Sequence, residues 1–241
     1  MPIYCITGTN RGLGLEFVRQ LAQSSDNTII AGVRSLATTD LTDLKAAASP
    51  STHILECDTG SLASIHAFAK AARLALGEDR KIDYLINNAA VNLASHQTSL
   101  DLGPDEFQAQ MAVNVLGPAK TLELLLDAGL LSANVRVLNL TSGLASLHLT
   151  AQSPTRKCAG YSIAKAALNM LTLHQAADLR AHLPGAVVAL VDPGWVKTRL
   201  GGAGAVMEPE DSISNVLKVL HGLRPEDSGS FFSHSGEKVP W

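Results

Sequence analysis

Aromatic residues, charges and cysteines are all scarce in this chain. Phe, Trp and Tyr together make up 4% of its 241 residues, and Asp, Glu, Lys and Arg 17%. Three cysteines, Cys5, Cys57 and Cys158, form no CxxC pair. That odd count excludes a disulfide framework, gives no structural zinc site and fits a reducing compartment. Lys plus Arg number 19 against 22 Asp plus Glu, for a net charge of −3. Without a basic excess, nucleic acid is not the expected partner. No run of 18 uncharged apolar residues occurs, so no membrane-spanning helix is expected. The opening MPIYCITGTN lacks the basic start and long apolar stretch of a secretory signal. The expectation is a soluble, cytoplasmic protein. What the chain does have is 46% apolar residues, enough for a large core and too many for global disorder.

Those apolar residues fall into short runs separated by longer helical patterns. Ile3–Thr7, Thr28–Val33, His53–Cys57, Ile82–Ile86, Val135–Leu140, Ala186–Val191 and Gly229–Ser233 read as strands. Leu13–Gln23, Leu62–Leu76, Glu106–Leu126, Tyr161–His182 and Pro209–His221 read as helices. The segment between Val33 and His53 reads as a polar stretch. Buried strands alternating with helices predict an α/β fold: a doubly wound, Rossmann-like, seven-stranded parallel sheet with helices on both faces. There is no repeat, low-complexity tract or linker, so residues 1–241 read as one dinucleotide-binding and catalytic domain. Two long connections, Ser142–Gly160 and Gly194–Glu208, follow strand ends, where open α/β sheets bind ligands.

The first strand runs into Thr7-Gly8-Thr9-Asn10-Arg11-Gly12-Leu13-Gly14, and a helix begins there. Gly8 permits a tight turn, Gly12 lets backbone approach a pyrophosphate, and Gly14 lets the helix lie near the strand. The helix start then offers free N–H groups to an anion. Gly8, Asn10, Arg11, Gly12, Leu13 and Gly14 are therefore candidates to hold a dinucleotide. The end of the second strand, Ala31-Gly32-Val33-Arg34, carries no acid to bind the ribose hydroxyls of NAD. Arg34 and Arg11 can instead make charge-assisted hydrogen bonds to a 2′-phosphate, which favours NADP(H). The alternative is that both are solvated surface groups.

Tyr161 and Lys165 are four residues apart on a predicted helix, hence on one face. A lysine ammonium beside a tyrosine is expected to lower the phenol pKa and suit it to acid–base work. The GxxxGxG turn, Asn87-Asn88-Ala89-Ala90 and Tyr161-x-x-x-Lys165, in this order, resemble the short-chain dehydrogenase/reductase family. The likeness covers essentially the whole chain. The C-terminal GSFFSHSGEKVPW and the short GGAGA segment resemble its C-factor/sniffer-like carbonyl reductase branch.

The resemblance implies further roles. Lys165 would also bind the nicotinamide ribose, and Ser142 would hold a substrate carbonyl oxygen beside Tyr161, with Thr141 the competing hydroxyl. Asn114 would anchor a water beside the lysine; a plain polar helix face is its alternative. Asp58 would bind the adenine amino group, unless it caps the following helix. Asn88 and Ala89 would line the adenosine ribose. Gly194, Val196 and Thr198, in the family's PG motif, would orient the nicotinamide. The family more often has Gly where this chain has Ala90. Trp195 reads equally as a substrate wall or as ordinary packing, and His148 more readily as a loop histidine than as a substrate contact.

The implied reaction is NADPH-dependent reduction of a small-molecule carbonyl to an alcohol, with a Ser-Tyr-Lys-Asn proton relay. Rival readings are a cofactor-binding regulatory protein and a biosynthetic enzyme without net redox. No metal site and no membrane partner are expected. The long helices resemble those through which many family members form dimers or tetramers, though packing on the sheet explains them equally.

Overall fold

The structure, a computed structural model, describes residues 1–154 and 156–241. Among them, seven strands form one sheet in the order β3-β2-β1-β4-β5-β6-β7. These are β1 (Ile3–Thr7), β2 (Thr28–Val33), β3 (Thr52–Glu56), β4 (Ile82–Asn87), β5 (Leu131–Leu140), β6 (Val187–Asp192) and β7 (Phe231–Ser233). Every neighbouring pair is parallel. β1 and β2 are buried throughout, because helices cover both faces. On one face α3 (Leu62–Leu76), α5 (Gly117–Asp127) and α7 (Ala159–His182) supply Phe68, Leu125 and Leu179 to the core. On the other, α1 (Gly12–Leu21), α2 (Thr42–Ala47) and α8 (Pro209–Gly222) supply Phe17, Leu44 and Val216. The chain winds outward from β1 to β3 and crosses back to β4. This reversal leaves a crevice at the carboxyl ends of β1 and β4.

The strands lie close to where the apolar runs place them, and the helices depart more. The expected helix over 106–126 is α4 (Pro104–Met111), a π-helical turn (Ala112–Leu116) and α5. Pro118 lies in the first turn of α5, where its missing N–H costs nothing. The polar stretch after β2 contains α2, whose Leu44 is fully buried. The connection after β5 holds a short 3-10 turn (Gly143–Ala145) and α6 (Leu147–Gln152). Among the described residues no helix is long and apolar enough to cross a membrane.

Candidate active site

The glycine turn joins β1 to α1 at the crevice. Gly8 and Gly12 both have positive φ, +72° and +55°, a conformation that disfavours a β-carbon. At Gly14 a β-carbon would lie 2.0 Å from the Gly8 carbonyl oxygen. Helix and strand can approach this closely only without a side chain. Arg11 stands at the N-cap with extended backbone and makes no side-chain cap, and no acid lies in the first turn of α1. The helix N-terminus is therefore free for an anion. Leu13 turns its side chain to the core beneath, so only its backbone can serve a ligand.

Asn88 and Ala89 support this turn from β4. The Asn88 side-chain amide donates to the carbonyls of Thr7 (2.8 Å) and Gly8 (3.0 Å). The backbone N–H groups of Asn88 and Ala89 both donate to the Thr7 hydroxyl. Ala89 lies so close to Gly8 that a β-carbon there would be 2.9 Å from the Ala89 Cα. Ala90 has no positive φ, so its methyl adds no backbone strain where the family favours glycine.

The residues expected at the adenosine end show two features. Asp58 does not cap α3; Ser61 does, accepting from the Ser64 N–H at 3.3 Å. Asp58 Oδ1 instead accepts from Gly60 within its own turn. Arg34 and Arg199 both lie within electrostatic reach of Arg11. Burial, Arg199 and Arg34, in that order, hold the Arg11 guanidinium below its usual pKa. Among the described residues, none of the three forms an ion pair with an acid. Arg11 thus has two cationic neighbours and no acid partner, a setting that suits an anion. Sequence reasoning missed Arg199, which looks like an ordinary loop cation beside Thr198.

Among the residues expected to orient the nicotinamide, Gly194 has φ +83° and donates its N–H to Asp192 Oδ1 at 3.0 Å. Val196 is buried and bridges to Met207, so its backbone position is fixed. Thr198 folds over the glycine turn; its Cγ2 would lie 3.5 Å from a β-carbon on Gly12. The Trp195 indole N–H donates to the Gly201 carbonyl at 2.8 Å, and Gly204 lies against the ring. Trp195 remains 52% exposed, so it packs on the glycine-rich loop and still offers surface to solvent.

The catalytic candidates meet between β5 and α7. Ser142 follows β5, and its Oγ accepts from the Leu144 N–H at 3.2 Å. Its O–H remains a donor. Thr141 is no rival: it is buried and donates to Asn169 Oδ1 at 2.6 Å. Tyr161 and Lys165 are both buried on α7. Lys165 Nζ donates to the Leu140 carbonyl at 2.7 Å and stands 5.8 Å from the Tyr161 ring centroid.

The expected lowering of the Tyr161 pKa is not what the ligand-free site shows. Burial, then the charges of Asp192 and Cys158, raise the phenol above its usual value. Burial also pushes Lys165 down to about 7. At neutral pH the lysine is only partly charged, and its ammonium faces a carbonyl. That geometry explains why it does not offset the burial of the phenol.

Asn114 lies in the π-helical turn and is fully buried. Its Oδ1 accepts from the Val91 N–H (2.9 Å), and its Nδ2 donates to the Val91 carbonyl (2.8 Å). The side chain therefore fastens the loop after β4. A second buried network fixes α7 to the sheet. Asn87 Nδ2 donates to Asn139 Oδ1, and Asn139 Nδ2 donates to Thr172 and Gln175. Nothing in the sequence signals it beyond an asparagine in an apolar strand. His148 is exposed; its ring meets the Gln152 amide, and its backbone N–H donates to the Trp241 carbonyl.

A doubly wound sheet with an uncapped glycine turn at its switch point, together with a buried Tyr-Lys pair on α7, defines a dinucleotide-dependent oxidoreductase of the Rossmann type. The chain belongs to the short-chain dehydrogenase family, whose pattern it matches over residues 2–205. It is 36% identical to the C-signal protein of Myxococcus xanthus over 160 residues, 66% of this chain and 93% of that one. It is 34% identical to a short-chain dehydrogenase of Pyricularia oryzae over 250 residues, 98% of this chain and 97% of the other. Among solved structures, the NADPH-bound carbonyl reductase from chicken fatty liver superposes with a TM-score of 0.91 at 28% identity, over the full length of both chains. The carbonyl reductase Sniffer of D. melanogaster shares the fold with a TM-score of 0.87, at 22% identity and again over both full chains.

Proposed function

We propose that the protein is an NADPH-dependent carbonyl reductase, acting through residues 1–241 as one catalytic domain. The observation that carries this reading is the buried Tyr161–Lys165 pair on α7, whose lysine bonds the Leu140 carbonyl two residues before the half-buried Ser142. Its likeness to an NADPH-bound carbonyl reductase supports the choice of reaction and cofactor. When bound, NADPH supplies the hydride that reduces the carbonyl carbon.

The protein's own residues do the rest. The α1 N-terminus and the glycine turn hold the pyrophosphate, and Asp58 holds the adenine. Arg34, Arg11 and Arg199 neutralise the 2′-phosphate. Val196 and Thr198 orient the ring. Ser142 donates a hydrogen bond to the carbonyl oxygen, and Tyr161, held as the phenol, gives that oxygen its proton. Lys165 binds the ribose and passes a proton back toward Tyr161. The side-chain amide of Asn114 is fully engaged with Val91. Its part in the relay therefore runs through its backbone carbonyl and an ordered water. Three free thiols agree with work in a reducing cytoplasm.

Replacing Tyr161 with Phe removes the proton donor and keeps the ring. Turnover of NADPH with a carbonyl substrate should fall at least about a hundredfold while cofactor still binds. Full turnover by Tyr161→Phe would refute the mechanism.

A further inference from the structure

The chain after β7 has no part in the scheme above, yet it returns to the segment that carries Ser142. It first reverses: the Gly236 N–H donates to the Ser233 carbonyl at 3.0 Å, and the Ser233 N–H donates to the Glu237 carbonyl at 2.8 Å. Lys238 then pairs antiparallel with Phe232, and the Val239 N–H donates to the Phe231 carbonyl at 2.8 Å. Val239 packs on an apolar cluster of Phe231, Leu190 and Leu168. Leu168 lies on α7, three residues beyond Lys165. The Trp241 ring rests on Phe231, with centroids 5.9 Å apart.

Beyond Val239 the chain meets α6. This helix is six residues long and buries none of them, so neither length nor packing holds it. Ser146, its N-cap, is completely buried. The Ser146 Oγ accepts from the Leu149 N–H at 3.0 Å and donates to the Pro240 carbonyl at 2.6 Å. The His148 N–H, in the first turn, donates to the Trp241 carbonyl at 2.8 Å. Ser146 is also tied back toward Ser142. Its N–H donates to the Gly143 carbonyl at 3.1 Å, and the Ala145 N–H donates to the Ser142 carbonyl at 2.9 Å. The Leu144 N–H reaches the Ser142 Oγ itself.

We propose that Ser146 is a positioning residue: its buried hydroxyl fastens residues 237–241 to the turn that carries Ser142, and so sets the Ser142 hydroxyl for the substrate carbonyl. The same segment is seated on α7 through Val239 and Leu168. It therefore ties together the two elements that supply Ser142 on one side and Tyr161 with Lys165 on the other. A hydrogen-bond donor aids a reaction only where it is already aimed at the oxygen that gains charge. A turn free to shift would lose that aim while the fold stayed intact.

This role rests on the reductase reading of Ser142, so one measurement is made without substrate. Amide hydrogen exchange over residues 143–152 should quicken at least about tenfold in Ser146→Ala, while the glycine turn keeps its wild-type rate. In kinetics, Ser146→Ala should lower kcat/KM for a carbonyl about tenfold and leave the Kd for NADPH unchanged. In a Ser142→Ala background the same change should cost nothing further, because no hydroxyl is left to aim. Ser146 also caps α6, so a second variant, lacking Pro240 and Trp241, keeps the cap and breaks the bridge. It should show the same pattern, and it serves if Ser146→Ala does not fold. An equal loss with and without the Ser142 hydroxyl would make Ser146 a structural residue and overturn the proposal. Unchanged exchange, unchanged kcat/KM, or failure of both variants to fold would overturn it too. If the wild type turns over no carbonyl, the reductase reading falls, and exchange alone decides whether this segment holds the Ser142 turn.

Discussion

Lys165 carries a cost that can be measured without any substrate. In the folded protein burial holds its pKa at about 7, against an ordinary 10.5. Between those values the unfolded chain binds the extra proton. Stability of the ligand-free protein should therefore rise as pH increases from about 7 toward 10.5 and carry the full penalty below 7. Lys165→Met should flatten that rise in thermal melts recorded across the window. Equal slopes for both proteins would mean that the side chain is not held in a dry site. Arg34 gives a second test. Arg34→Ala should raise the KM for NADPH at least about tenfold, the worth of a charge-assisted hydrogen bond, and leave NADH unchanged. Initial-rate kinetics with the two cofactors separates this from general damage. Tyr161, Lys165 and the glycines were legible as spaced motifs. The burial that raises its phenol was not, because it depends on how α7 packs against the rest of the fold.

Strands were the most legible elements. A strand buried on both faces shows itself as a short apolar run between turn residues, and β1 and β2 fall at the expected residues. Helix α2 was not legible because six residues with one buried side chain, Leu44, show no period. The π-helical turn was hidden for another reason: one wide turn shifts the apolar pattern by a single residue, too little to stand out in one sequence, although it places Asn114 against Val91. The register of α7 on the sheet rests on Asn139 and its three partners. Asn139→Ala would leave Asn87, Thr172 and Gln175 short of a buried partner. Unfolding in urea should show a loss of about 3 kcal/mol. A change below about 0.5 kcal/mol would show that the network does not hold the helix.

Across the whole molecule, every residue proposed to touch cofactor or substrate lies at one edge of the sheet. Their connections leave the carboxyl ends of strands, as the doubly wound topology requires. That edge was predictable from strand order alone. Its third arginine, Arg199, was not, because its nearness to Arg11 depends on Thr198 folding back over Gly12. The central claim is NADPH-dependent reduction of a carbonyl, and one assay tests it most directly. NADPH and NADH oxidation are measured in parallel against aldehydes, ketones, diketones and quinones. The account predicts turnover with NADPH, a clear preference over NADH, and loss of that turnover in Tyr161→Phe. Silence with both cofactors, or a preference for NADH, would contradict it.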